Sequence, residues 1–213
     1  MIRANGITLA YGKKVLARDI SLSLEQGCCT LLCGPNGSGK STLLRSLASQ
    51  IPDAVYIPTG IPKVKGFTVA QFVRSFCYKE SDWAGRLQAK TQQRTDRALE
   101  LMGLTELSQR DISTLSDGEF QKACIAAGLS RNAKLLLLDE PSAFLDVDGR
   151  AMVLRTLEEL ARNTGLAVLY SSHDVHEALK YVKRVCAFTP EGFTEPSEKR
   201  EEVIRKAFPD YKP

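Results

Sequence analysis

The sequence predicts an α/β protein: a largely parallel sheet with helices on it and a helical block inserted between its strands. Three observations carry this expectation. The apolar run 28–33 leads directly into a glycine-rich loop, and helical spacing at Leu43, Leu44, Leu47 and Ala48 follows. Short apolar runs at 134–138, 166–171 and 185–188 alternate with helical patterns, the mark of a βαβ series. From Thr68 to about Arg131 the pattern is mostly helical, which places a helical subdomain at 66–131 inside a single domain of 1–213.

Taken in order, Ile20, Leu22 and Leu24 alternate with Ser21, Ser23 and Glu25, a half-buried strand ended by Gln26-Gly27. The run 28–33 is apolar on both faces, as a central strand must be. Ala54–Ile57 is a short strand candidate, followed by a loop with Pro58, Gly60 and Pro62. Thr68 can cap a helix over 69–76, and Ala98, Leu99 and Met102 mark one face of another. Val153, Leu154, Leu157, Leu160 and Ala161 define an amphipathic helix after the strand at 134–138. A helix over 175–182 separates the strand at 166–171 from a last strand at 185–188. In the charged tail 190–213, Val203, Ile204, Ala207 and Phe208 form a helical stripe suited to the domain's own surface.

Composition narrows the function classes. Hydrophobic residues at 43% and charged residues at 25% are globular values, which excludes long disorder. Net charge is +4, from 29 basic and 25 acidic residues, too mild for a nucleic-acid footprint, so no nucleic-acid partner is expected. No apolar stretch is long enough to span a bilayer, and the start lacks a signal-peptide core. The six cysteines form no C-x-x-C pair and five lie in apolar or helical runs, so buried thiols in a reducing compartment are expected.

The chemistry sits in a few motifs. Gly34-Pro35-Asn36-Gly37-Ser38-Gly39-Lys40-Ser41-Thr42 is the P-loop pattern. Its glycines let backbone N–H groups turn inward around phosphates, and the following helix N-terminus adds its dipole. Lys40 is then placed for the β- and γ-phosphates and the Ser41 hydroxyl for Mg²⁺. The strand at 135–138 ends in Asp139-Glu140, with Asp139 placed to hold Mg²⁺ through water and Glu140 to polarise an attacking water. Ser116 and Glu119 form an S-x-x-E capping box, which has a purely structural use but also offers a hydroxyl and free N–H groups to an anion. His173 follows an apolar strand at the carboxyl edge of the sheet, where ligands bind in α/β folds.

Together, segments 34–42, 115–119, 138–141, the run Ser142-Ala143-Phe144-Leu145-Asp146 and His173 resemble the ATP-binding cassette (ABC) ATPase family, in that family's order and over nearly the whole chain. The resemblance implies a P-loop NTPase core of the ABC type that binds ATP and Mg²⁺ and hydrolyses ATP. It implies a head-to-tail dimer in which each ATP lies between one copy's phosphate loop and the other's signature segment. On that basis Ser116 and Gly118 touch the γ-phosphate in trans, Glu140 is the general base and His173 contacts the γ-phosphate. Asp146 links the two sites, and Tyr11 stacks on adenine.

Partners implied in the same way are integral-membrane permease subunits, a second copy of the chain and, for an importer, an extracytoplasmic solute-binding protein. The implied location is the cytoplasmic face of the cell membrane, peripherally attached. Segments 67–73 and 115–119 resemble the importers of iron-siderophore, haem and cobalamin. The alternatives are the ATPase of a short exporter of the haem-export type and a soluble non-transport ABC ATPase. Two positions depart from the family. Asp117 stands where the signature usually has Gly, and is expected to point away from the phosphate. Thr59 stands where a glutamine usually follows the strand, with Gln71 or a water as candidate substitutes.

Overall fold

The apolar runs 29–33, 135–138 and 167–171, buried on both faces, form the interior of a six-stranded sheet. The computed structural model describes residues 1–12, 14–80 and 88–211, without the side chains of Tyr11, Lys14 and Lys79. In spatial order the strands are β4 (Ala54–Ile57), β5 (Leu135–Leu138), β6 (Ala167–Ser171), β3 (Cys29–Cys33), β7 (Arg184–Thr189) and β8 (Gly192–Ser197). The first five are parallel and β8 runs antiparallel to β7. Parallel neighbours need crossover connections, and these are the helices.

Alternation along β5 shows how the sheet organises two cores. Leu136 and Leu138 face one cluster, and Leu135 and Leu137 the other, all fully buried. On the first face lie α2 (Val69–Ser75), α3 (Ala89–Leu101), α4 (Asp117–Ser130) and α5 (Val147–Thr164). The second face receives Leu43, Leu44 and Leu47 of α1 (Lys40–Gln50), together with Ile7, Leu9, Ile20, Leu22 and Leu24. Those five come from an antiparallel hairpin, β1 (Ile2–Tyr11) with β2 (Lys14–Leu24). Burying such a Leu or Ile contributes roughly 1.5–3 kcal/mol.

All six cysteines are free and buried, and burial pushes the Cys33 and Cys124 thiols up to about 12, where they are inert. The α/β expectation with its phosphate-loop core is borne out. The structure departs from the sequence reading at three places. The first hairpin strand was not anticipated, and β2 begins six residues before the expected strand, because bulges at Ala4/Ile7 and Ile7/Leu9 break the alternation. A further strand, β8, follows the one expected to be last; it carries Pro196 and Glu195, which an edge strand tolerates.

The helix expected over 175–182 is only α6 (Val175–Ala178). Arg200 explains its early end, since Nη1 takes the carbonyls of Leu179 and Val182 at 2.8 Å each. Arg200 opens α7 (Arg200–Ala207), whose Val203, Ile204 and Ala207 are buried in the first core. Residues 81–87 of the helical stretch and 212–213 of the tail lie outside the described residues.

Candidate functional site

The phosphate loop joins β3 to α1 at the carboxyl edge of the sheet. Gly34 has φ 142° and a Cβ there would stand 2.9 Å from Phe188 Cβ, so only glycine fits the turn. Gly39 (φ 107°) is the N-cap of α1, and no side chain caps that helix, leaving its N–H groups open. Lys40 Nζ donates to the carbonyls of Gly34 (2.8 Å) and Pro35 (3.1 Å), and burial lowers its pKa. Ser38 Oγ is buried without a partner. The loop therefore holds a cation and an unused hydroxyl at one point, both suited to an anion.

A cleft of about 670 Å³ opens over this loop, lined by Asn36, Gly37, Gly39, Lys40, Ser41 and Thr42, with Thr59, Asp139, Glu140, His173 and Leu16. The sheet order explains the meeting, because β5 and β6 end beside β3 and release Asp139-Glu140 and His173 into the same space. Asp139 is held by two hydroxyls, Tyr56 Oη to Oδ2 at 3.1 Å and Ser171 Oγ to Oδ1 at 2.8 Å. Glu140 sits at φ 53°, a strained left-handed backbone for a side-chain-bearing residue. Its N–H donates to Ser171 Oγ at 3.0 Å, and His173 approaches its carboxylate through N–H (3.2 Å) and Nε2 (3.1 Å). Burial raises the Glu140 pKa, Asp139 pushes the same way, and His173 and Lys40 oppose. A carboxylate with a raised pKa is a better base for water than a solvated one.

Ser116, Gly118 and Asp146 line a different cleft of about 780 Å³, with Asp117 and Phe144. Ser116 caps α4 through a full capping box, accepting from Glu119 N–H at 3.2 Å while Glu119 Oε2 accepts from Ser116 N–H at 2.8 Å. Asp146 caps α5, accepting from Gly149 N–H at 2.8 Å. The structure thus brings the phosphate-loop set and the signature set to two separate clefts. Tyr11 ends β1, but its side chain lies outside what is described, as therefore does the adenine-stacking expectation.

Sequence reasoning missed Tyr56 and Ser171, the two hydroxyls that hold Asp139. Both sit in strands, where a Tyr or Ser has no distinguishing pattern. Thr59 does reach the site, donating its hydroxyl to the Asp139 carbonyl. Gln71 does not, because its Oε1 is the acceptor in the Thr68 capping box at 2.9 Å from Thr68 N. Asp117 pairs with Lys63 at 2.7 Å.

Among the described residues no helix is long and apolar enough to cross a membrane. Residues 17–143, more than half of the chain, match the family model described as ABC transporter. The petrobactin import ATP-binding protein FpuD of Bacillus anthracis is 30% identical, covering 85% of this chain and 75% of that protein. The zinc import ATP-binding protein ZnuC of Cereibacter sphaeroides is 32% identical, covering 87% and 77%. The ferric enterobactin transport ATP-binding protein FepC of Escherichia coli is 29% identical, also covering 87% and 77%. In structure, the chain is similar to a proposed metal-chelate type ABC transporter in an inward-facing conformation, with TM-score 0.84 and 22% identity over 97% of this chain and 88% of that one. A nucleotide-free ATP-binding cassette from an ABC transporter gives TM-score 0.77 and 21% identity over 95% and 94%. With the motifs, the fold and these likenesses in agreement, the chain belongs to the ABC transporter family.

Proposed function

We propose that this chain is the ATP-binding and ATP-hydrolysing subunit of an ABC importer, driving uptake of an iron chelate through separate membrane permease subunits. The observation that carries the ATPase reading is the single cleft in which Lys40, Ser41, Asp139, Glu140 and His173 meet. The import reading rests on relatives named for petrobactin and ferric enterobactin. A second reading, uptake of a metal ion without a chelator, is favoured by the zinc importer at 32% identity.

Phosphates fit the loop because, among the described residues, Ser38 Oγ is unpartnered and Lys40 Nζ is hydrogen-bonded only to the loop's own carbonyls. Mg²⁺ would be held by the Ser41 hydroxyl and the Asp139 carboxylate. Among the described residues no cluster of three His, Cys, Asp or Glu could cage a metal alone, which suits an ion that keeps its waters and binds substrate phosphates. When bound, it neutralises charge developing on the phosphoryl oxygens. Tyr56 and Ser171 fix the rotamer of Asp139, and Lys40 leaves its loop carbonyls for the phosphates.

Glu140 accepts the proton of the attacking water, helped by a pKa raised by burial. His173, at 3.1 Å from Glu140, orients that carboxylate and offers its ring to the γ-phosphate. The separation of the signature cleft from the phosphate-loop cleft supports the head-to-tail dimer, since Ser116 and Gly118 line no part of the cleft that holds Lys40 and are free to meet a triphosphate on a second copy. Asp146 lies in that same cleft, at the junction. The helical block 66–131 then faces the permease, and the chain is held at the cytoplasmic face of the membrane by that subunit, with an extracytoplasmic solute-binding protein delivering the cargo.

Two measurements test this. Glu140→Gln should abolish turnover and trap an ATP-bound dimer, and Lys40→Ala should weaken ATP binding at least tenfold. Undiminished hydrolysis in Glu140→Gln would remove Glu140 as base, and unchanged affinity in Lys40→Ala would remove the loop as the site. A mild-detergent pull-down from native membranes should bring down a many-helix permease of importer type. Ribosomal or DNA-associated partners alone would end the transport reading.

A further inference from the structure

The signature segment carries a carboxylate, Asp117, between the two residues assigned to an incoming triphosphate. Asp117 begins α4, where the helix dipole favours an anion, so the negative charge is stable there in the free subunit. The same location disfavours a polyanionic ligand at Ser116 and Gly118. Among the described residues one cation answers that charge. Lys63 Nζ lies 2.7 Å from Asp117 Oδ1 and 2.7 Å from the Leu115 carbonyl, and 5.6 Å above the Phe120 ring centre. Three restraints on one ammonium set it apart from an ordinary surface pair, which is mobile and screened. The Lys63 side chain is accordingly 26% exposed, against 65% for Asp117.

Lys63 also comes from a telling place. It lies on the loop between β4 and α2, four residues after Thr59, whose hydroxyl donates to the Asp139 carbonyl. One short loop is therefore tied at Thr59 to the phosphate-loop cleft and at Lys63 to the signature cleft of the same subunit.

We infer that Lys63 is a positioning residue for the signature cleft: it neutralises Asp117 and draws its carboxylate aside, so that the signature turn can receive the triphosphate carried by a second copy. This rests on the ATP-clamping dimer proposed above. The mechanism is electrostatic, so the cost of losing Lys63 depends on Asp117 being charged. Without the carboxylate, the lysine has nothing to neutralise.

The test is a double-mutant cycle in steady-state ATP hydrolysis by the full chain. Lys63→Met keeps the aliphatic stem on Phe120 and removes the charge together with the bond to the Leu115 carbonyl; a thermal melt verifies that the fold is retained. It should raise KM for ATP about tenfold, or 1.4 kcal/mol, with kcat changed by less than about twofold. Lys63→Arg should keep KM within about threefold of wild type. In an Asp117→Gly background, Lys63→Met should change KM by less than about twofold. An equal cost in both backgrounds would overturn the inference, as would a loss confined to kcat, while leaving the ATPase reading intact. Absence of any Lys40-dependent hydrolysis in the wild-type chain would overturn both.

Discussion

Ser171→Ala isolates the scaffold of Asp139 and Glu140 from the two carboxylates themselves. Ser171 Oγ is fully buried at the end of β6, donates to Asp139 Oδ1 at 2.8 Å and accepts from Glu140 N–H at 3.0 Å. Deleting it removes a hydrogen bond to a charged group, about 1.5–3 kcal/mol, and leaves an N–H without its partner, about 1–3 kcal/mol. Part of this is recovered as Asp139 leans on Tyr56 and water reaches the cleft, so the expected loss of stability is about 2–3 kcal/mol. Urea unfolding should show a lower midpoint at unchanged slope, since the exposed surface is the same. Catalysis should suffer separately, because the φ 53° backbone of Glu140 loses the bond that holds it. A 1 Å displacement of a positioned group can cost about a hundredfold in rate, so kcat should fall at least tenfold while nucleotide binding at Lys40 persists. Ser172→Ala, whose hydroxyl bonds only within its own turn at Asp174, serves as the control. A Ser171→Ala chain within about 0.5 kcal/mol of wild type and equally active would refute the idea that this hydroxyl organises the site.

Four further outcomes follow from the structure. Burial holds the Glu140 carboxyl above the ordinary glutamate value, so the acid limb of kcat/KM should lie above that value, activity falling as pH drops through it; a limb at the ordinary value would contradict the base assignment. The folded chain binds that proton more tightly than the unfolded chain, so stability falls as pH rises through the raised pKa, and Glu140→Gln should melt higher than wild type at neutral pH. Gly34→Ala forces a Cβ against Phe188 at φ 142° and should both destabilise the chain, by about 1–3 kcal/mol, and abolish ATP binding, read by calorimetry and nucleotide titration. Leu137→Ala, fully buried on the face of β5 that lines the second core, should cost about 2–5 kcal/mol in urea unfolding without moving KM.

Much of the molecule was legible in the chain because its central features are local. A strand buried on both faces is a continuous apolar run, and 28–33, 134–138 and 166–171 could be read without a partner in view. The phosphate loop was equally plain, since glycine at forced positive φ and a lysine at fixed spacing are sequence properties. The carboxylates were found for the same reason: Asp139 and Glu140 end an apolar strand. The edges were harder. The β1–β2 hairpin carries bulges that break its period, β8 is charged and contains a proline, and α6 is ended by Arg200 from a distant helix.

What lay beyond the sequence was pairing. Nothing in the pattern 54–57 says that the Tyr56 hydroxyl reaches Asp139, 83 residues later. Nor does Gln71 announce that it is spent on a helix cap, leaving Thr59 alone at the cleft. Asp117 could be seen to break the signature pattern, and only the fold could supply Lys63 to answer it. The sequence by itself determined which chemical groups this protein has and where backbone conformation is forced, because those depend on neighbours in the chain. Tertiary structure alone decided which hydroxyl steadies which carboxylate and which charges are answered, because strand order and loop closure bring together groups the sequence keeps apart.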